Sequence, residues 1–105
     1  NLQGFVLFRR DRTGRMGGGV LCYVRNYWSC RLLNIPITNS NDFEVLWIVL
    51  RPERLPRPLS VIVVAVVYCP PWYSVDLMRQ LNLYLNHCLD WVSCTYPNAD
   101  IYIYL

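Results

Sequence analysis

The chain has 105 residues, of which 54% are apolar, 14% aromatic and 16% charged, and its formal net charge is +3. This length fits a single domain, and so apolar a composition excludes a disordered tail, which requires low hydrophobicity and high net charge. The longest uncharged apolar run, residues 59–69, is too short for a membrane-spanning helix, which needs about 20 residues.

The first half of the chain predicts short strands. Residues 4–8 and 20–25 are β-rich runs separated by a charged turn at 9–15, and together they predict a hairpin. Residues 28–37 form a weaker strand candidate. Residues 43–50 are apolar at both parities apart from one glutamate and predict a further strand.

The second half predicts a strand, a helix and a last strand. Residues 59–68 are rich in β-branched side chains without alternation, which is typical of a strand covered on both faces. An amphipathic pattern predicts one long helix near 74–92, with Ser74 as its N-cap. Residues 101–105 predict the final strand. A helix between two strands indicates a crossover connection and an at least partly parallel sheet, hence an α/β fold (α+β in some schemes) made mostly of strands.

Arginine supplies all ten basic residues, and the chain contains no lysine. The densest group consists of four arginines within the predicted turn, Arg9, Arg10, Arg12 and Arg15. Two interpretations of this group are open: it contacts a phosphate backbone, for which arginine is well suited, or it is a solvated hairpin tip. A net charge of +3 is too small by itself to establish a nucleic-acid partner.

The five cysteines are spread along the chain without a CxxC pair. Metal sites usually bring ligands in close pairs from two places, so we predict no metal site within this chain. Cysteines inside apolar runs behave as small buried hydrophobes. This usage indicates a reducing, intracellular location, either nuclear or cytoplasmic.

Two aromatic residues near the end of the 59–68 strand are candidates for a site. Tyr68 closes that strand where the chain turns, and strand ends are where α/β folds build their sites. Its hydroxyl can donate a hydrogen bond to a phosphate, although a structural role is the other interpretation. Trp72 is the tryptophan considered for substrate contact, because Trp47 and Trp91 lie in apolar patterns typical of a core.

The order of several short patterns resembles a known family, the endonuclease/exonuclease/phosphatase superfamily, in the version that non-LTR retrotransposons carry beside their reverse transcriptase. No single pattern is specific, but their order and spacing extend over nearly the whole chain. The patterns are Arg-Asp-Arg, Gly-Gly-Gly-Val, Tyr-Val-Arg, Phe-Glu-Val-Leu-Trp-Ile, Val-Tyr-Cys-Pro-Pro and Ile-Tyr-Ile-Tyr-Leu, at residues 10–12, 17–20, 23–25, 43–48, 67–71 and 101–105.

The resemblance implies a deoxyribonuclease-like four-layered α/β sandwich, with two sheets face to face and helices outside. It implies a Mg²⁺-dependent phosphodiesterase that nicks target DNA for retrotransposition, with DNA as partner and a reverse transcriptase domain in the same parent polypeptide. Residues 1–105 would then be the central part of one domain, truncated at both ends. The metal ligands of the family belong to segments outside 1–105, so the chain alone is expected to lack nicking activity and to fold poorly.

Residue by residue, little of the family's machinery can be assigned to this chain. Tyr68 matches the tyrosine of a Tyr-x-Pro segment that helps to hold the scissile phosphate. Cys69 departs from the family, since retrotransposon members usually have arginine there, whereas Pro71 agrees with them. Glu44 occupies a commonly acidic position but does not match the metal-binding glutamate.

Two alternatives to the nuclease interpretation remain open. The chain could be a small non-catalytic binding or interaction domain, for which the scarcity of catalytic residues is the support. It could also be a phosphatase-type member of the same superfamily. A complete binding domain is expected to melt cooperatively as a monomer, whereas a fragment with unpaired strand edges is expected to aggregate.

Overall fold

A computed structural model describes residues 3–10, 19–25, 28–52 and 59–105. Across these ranges the chain forms an α+β fold in which strands predominate and one long helix is present. In chain order the elements are β1 (Phe5–Arg10), β2 (Val20–Arg25), β3 (Ser29–Leu32), β4 (Val45–Arg51), β5 (Val61–Val67), α1 (Val75–Thr95) and β6 (Ala99–Tyr104).

The described strands form two sheets. β1 and β2 pair as an antiparallel hairpin, and the second sheet has the order β3-β4-β5-β6. Its first two pairings are antiparallel, whereas β5 and β6 run parallel and are connected by α1. The predicted hairpin and the partly parallel sheet with a helical crossover are therefore confirmed.

The four-stranded sheet lies between the helix and the hairpin, so the described residues form three layers. On the helix-side face, odd-numbered residues of β4 and β5 pack against the buried stripe of α1, which consists of Leu81, Leu85, Cys88 and Val92. On the hairpin-side face, even-numbered residues of the same strands pack against Val20 and Val24 of β2. Alternate residues of a strand point to opposite faces of the sheet. Because β4 and β5 are apolar at both sets of alternate positions, they form one apolar core on each face.

The strand buried on both faces is β4, not β5 as the sequence predicts. Every residue from Val45 to Leu50 is buried. In β5 the odd positions are buried, but Ile62, Val64 and Val66 on the hairpin-side face are only half-buried. β5 is a central strand of the sheet like β4, but the packing on the hairpin-side face covers β4 more completely than β5.

The helix begins as the sequence predicts and ends later. The side-chain oxygen of Ser74 accepts a hydrogen bond from the Leu77 N–H at 3.1 Å, which confirms the N-cap. α1 continues to Thr95, three residues beyond the predicted end. The next residue, Tyr96, precedes Pro97, and a residue before proline is disfavoured in helical conformation. Its N–H still donates to the Val92 carbonyl at 2.7 Å.

The predicted strand at 28–37 is correct only at its start. Pairing ends at Leu32, and Leu33 makes one further bond, from its N–H to the Trp47 carbonyl at 2.9 Å. The chain then leaves the sheet, and Ile35 and Ile37 pack on the helix-side core.

Within the part of the chain that the structure describes, no helix has the length and apolar character needed to cross a bilayer.

Candidate functional site

The predicted site residues lie at two strand ends. Tyr68 directly follows β5, and Arg9 and Arg10 are the last two residues of β1. The predicted turn at 9–15 is wrong for these two arginines, because they pair with Leu21 and Val20 and so extend the hairpin ladder. Arg12 and Arg15 lie outside the described residues.

Main-chain pairing fixes the position of Tyr68 next to the start of β4. Because β4 and β5 are antiparallel, Val67 at the end of β5 pairs with Val45 at the start of β4. The Tyr68 N–H continues this pairing by donating to the Glu44 carbonyl at 3.0 Å. The Tyr68 side chain is half-buried and packs against the hairpin-side core.

Arg10 reaches the same place from the hairpin. Its guanidinium donates to the carbonyl of Phe43 and forms an ion pair with Asp42. Arg10 and Tyr68 therefore contact consecutive residues, Phe43 and Glu44. We call the region formed by Arg9, Arg10, residues 42–44 and Tyr68 the Tyr68 end. Arg10 is engaged in structural contacts there, and Arg9 is an exposed residue.

A hydrogen-bonded turn holds Phe43 in place. The Asp42 N–H donates to the Asn39 carbonyl at 3.0 Å, and Asp42 has φ +50°, a region in which Asp is tolerated better than most residues. The Asn39 side chain accepts from the Phe43 N–H at 2.8 Å and donates to the Phe43 carbonyl at 2.9 Å. Asn41 donates to Gln80 of α1, so the turn is also attached to the helix.

Aromatic rings extend from the Tyr68 end to the surface. The Phe43 ring lies 6.0 Å from the Tyr73 ring, and Tyr73 lies 4.9 Å from Trp72 in an edge-to-face arrangement. Trp72 is 62% exposed, whereas Trp47 is buried, as predicted. An exposed indole is a surface on which a base can stack.

A cavity of about 320 Å³ opens beside the two arginines. Trp47 is 5% exposed, yet its indole Nε1 is buried and makes no hydrogen bond to the described residues. The sequence predicts Trp47 as core but not this donor, although a buried tryptophan normally needs a partner for its N–H. The polar lining comes from Arg9, Arg10, Asn34, Asn39, Trp47 and Tyr84.

Among the residues that line this cavity, Tyr84 has a pKa that is clearly shifted from its ordinary value. Burial, followed by the neighbouring Cys88 thiol, raises the pKa of Tyr84 to about 12. Trp47 and Arg10 act in the opposite direction on the same pKa. The indole N–H is thus near the Tyr84 hydroxyl, but the two do not meet in hydrogen-bond geometry, and Nε1 has no hydrogen-bond partner in the described ranges. At neutral pH the Tyr84 hydroxyl is protonated and can donate.

The described residues do not fit the catalytic magnesium that the resemblance implies. Within ranges 3–10, 19–25, 28–52 and 59–105, no three His, Cys, Asp or Glu side chains come together as metal ligands. Magnesium requires near-octahedral oxygen coordination. At the Tyr68 end, the carboxylate of Asp42 is paired with Arg10.

Comparison of the chain with protein-family models, with curated proteins and with solved structures gives no match.

Proposed function

We propose that the chain is the central part of an endonuclease domain of the endonuclease/exonuclease/phosphatase superfamily, in the retrotransposon version, and that its Tyr68 end contacts the DNA backbone. One observation carries the proposal. Two residues that sequence reasoning places in the site, Tyr68 and Arg10, hydrogen-bond to consecutive residues: Tyr68 to Glu44 and Arg10 to Phe43.

Each group at the Tyr68 end has a role in this proposal. The Tyr68 hydroxyl donates to a phosphate oxygen, and the positive charge of Arg9 neutralises a neighbouring phosphate. Trp72 stacks on a base. Arg10 is a positioning residue, because it holds the Phe43 carbonyl and Asp42 rather than the nucleic acid.

The layered arrangement supports the same family. A sheet packed face to face on a second sheet, with a helix on the outer side, is part of the four-layered sandwich that the resemblance implies. In this proposal the remaining strands, the magnesium and its ligands belong to other parts of a longer polypeptide, which also carries the reverse transcriptase domain. Bound there, the metal would activate water and stabilise charge on the phosphate.

The first test is binding of this chain to a fluorescent DNA duplex, measured by anisotropy over a series of salt concentrations. We expect Arg9→Gln to weaken binding and to lower the slope of log K against log salt by about 1, the loss of one phosphate contact. Arg79→Gln is the matched control, because it removes the same charge from the exposed face of α1. Equal effects of both substitutions would show that Arg9 contributes to binding only through the net charge of the chain, and this would contradict the proposed interface.

The second test uses the complete parent polypeptide and measures plasmid nicking. Tyr68→Phe is expected to lower the nicking rate while leaving DNA binding and the thermal melt nearly unchanged. Unchanged nicking would remove Tyr68 from the site. The 105-residue chain alone is expected to leave the plasmid intact, and EDTA-sensitive relaxation by it would contradict the assignment of the metal ligands to other segments.

The non-catalytic alternative predicts a different pattern. A binding domain that is complete within these residues would melt cooperatively as a monomer, and its parent polypeptide would not nick DNA. A phosphatase-type member would instead release phosphate from a small phosphomonoester and show no preference for a duplex.

A further inference from the structure

The two edges of the four-stranded sheet, β3 and β6, differ in how they are protected. A sheet edge presents unpaired main-chain N–H and C=O groups, and soluble proteins usually protect it with a short strand, charged side chains or proline. β3 follows this rule, because it has only four residues and one of them is Arg31. The Arg31 guanidinium donates to the Tyr96 hydroxyl at 2.8 Å. The β6 edge has no comparable protection.

β6 is a regular strand with an open side. All six of its residues pair in continuous register with β5, and no strand pairs with its other side among the described residues. It contains no proline, glycine or basic residue, and its one acidic residue, Asp100, is the second of the strand. Large apolar side chains are nevertheless exposed: Tyr102 by 43%, Ile103 by 38% and Tyr104 by 57%. Such an edge is suited to pairing with a further strand.

A second copy of β6 complements the first when the two strands run antiparallel about a two-fold axis perpendicular to the sheet. This axis keeps the helix-side faces of both copies on one side, so residues opposite each other are both even-numbered or both odd-numbered. With the axis at Tyr102, the two Tyr102 rings are neighbours, and Ile101 lies opposite Ile103 of the second copy. Aromatic and β-branched cross-strand pairs of this kind stabilise a sheet.

The charges of β6 agree with this register. Asp100 lies opposite Tyr104 of the second copy, so the two carboxylates do not face each other. The Asp100 carboxylate accepts from the Tyr102 hydroxyl of its own strand at 2.5 Å, and an ionised carboxylate has further acceptor positions for a tyrosine hydroxyl. An axis at Ile101 would leave Tyr104 outside the paired strands, and an axis at Ile103 would shorten the pairing.

We propose that β6 is a self-association surface, through which two copies of the chain pair their β6 strands antiparallel about a two-fold axis at Tyr102. The pairing joins two four-stranded sheets into one sheet of eight strands. Each copy uses its open edge once, so association stops at a dimer, with a β3 strand at each end of the joined sheet. The proposal concerns the 105-residue chain itself and does not depend on nuclease function.

The first test combines analytical ultracentrifugation over a range of concentrations with amide hydrogen exchange measured by NMR. We expect a monomer–dimer equilibrium. Alternate amides of an edge strand point away from its neighbour, so dimer formation should slow the exchange of those β6 amides that are not bonded to β5. A monomer at every concentration, association beyond the dimer, or a dimer without this protection of β6 would overturn the proposal.

Substitutions of Tyr104 test the register, and the exposure of this residue makes them tolerable for folding. Tyr104→Lys places a positive charge opposite Asp100 of the second copy, whereas Tyr104→Glu places a like charge there, at two symmetric positions of the dimer. We expect the dissociation constant of the Glu variant to exceed that of the Lys variant by about tenfold. Net charge alone predicts the opposite order, because lysine increases the charge of +3 and glutamate lowers it.

The matched controls lie on the opposite edge of the sheet. Leu32 of β3 is 44% exposed, and we expect Leu32→Lys and Leu32→Glu to leave the dissociation constant of the dimer nearly unchanged. Equal dissociation constants for the two Tyr104 variants would contradict the pairing of residue 104 with Asp100. Dissociation of the dimer by the Leu32 substitutions would assign the contact to β3 and overturn the proposal.

Discussion

The N–H of Tyr68 donates to the carbonyl of Glu44 at 3.0 Å, directly beyond the last paired residues of β5 and β4. This main-chain bond determines where the tyrosine ring leaves the sheet. On the neighbouring residue, Phe43, the carbonyl accepts from the guanidinium of Arg10. The hairpin and the four-stranded sheet are therefore joined by polar contacts at the Tyr68 end, in addition to the apolar core between them.

The burial of β4 predicts a difference between two identical substitutions. Ile48 is fully buried in the hairpin-side core, whereas Ile62 on β5, which packs against the same core, is half-buried. We expect Ile48→Val to lower the free energy of unfolding by about 1 kcal/mol, and Ile62→Val by clearly less, since a partly exposed methylene loses less on removal. Urea denaturation of both variants measures the difference. Equal losses would contradict the assignment of β4 as the central buried strand.

The N-cap of α1 gives a second prediction. Ser74→Ala removes the oxygen that accepts from the Leu77 N–H, and we expect a loss of about 1 kcal/mol in unfolding free energy. Ser93→Ala is the control, because Ser93 is exposed within the same helix and alanine is the better helix former there. A loss of similar size in both variants would exclude a capping role for Ser74.

Tyr84 predicts a pH dependence at the alkaline end. Its pKa is about 12 in the folded chain against an ordinary value of 10.0, so the folded state holds the proton more tightly. This contribution is complete below pH 10 and is lost as the pH rises from about 10 to 12, because the unfolded chain releases its proton first. Tyr84→Phe should remove this part of the decline in stability.

The difference between the two pH profiles isolates Tyr84 from the other alkaline groups. Burial also raises the pKa of Cys22, Cys30 and Cys88, so thiols add to the decline above pH 9. Tyr104→Phe, at an exposed position of β6, is the control. A profile for Tyr84→Phe parallel to that of the original chain would contradict the assignment.

Thiol reactivity provides a fourth prediction. All five cysteines are free thiols, of which Cys94 is exposed and Cys88 fully buried. At pH 8 a thiol-specific chromogenic reagent should react first with Cys94, because the thiolate is the reactive form and burial disfavours it at Cys22, Cys30 and Cys88. Cys94→Ser should remove the fast phase. Simultaneous reaction of all five would indicate a loosely packed chain.

Local patterns and strand connections were readable from the sequence, whereas individual side-chain contacts between distant segments were not. Ser74 is recognisable as an N-cap from its place before the helical pattern, and a helix between two β-rich runs indicates that the strands it connects, β5 and β6, run parallel. By contrast, Arg10 lies 33 positions from Phe43 in the chain. Nothing in a charged segment indicates that its first two arginines extend a strand.

The cavity was equally out of reach of sequence reasoning. It depends on where β3 stops, and residues 28–37 contain apolar side chains on both sides of that point. The pattern at Trp47 indicates burial correctly, but burial alone does not tell whether the indole nitrogen finds an acceptor.

The measurement that tests the Tyr68 end most directly is chemical-shift mapping of the ¹⁵N-labelled chain with a short DNA duplex. We predict that the amides of Arg9, Glu44 and Tyr68 and the indole of Trp72 shift together and saturate with one dissociation constant, while the exposed face of α1 around Arg79 stays unperturbed. Shifts confined to other surfaces, or none at DNA concentrations that saturate nonspecific binding, would contradict the nucleic-acid interface.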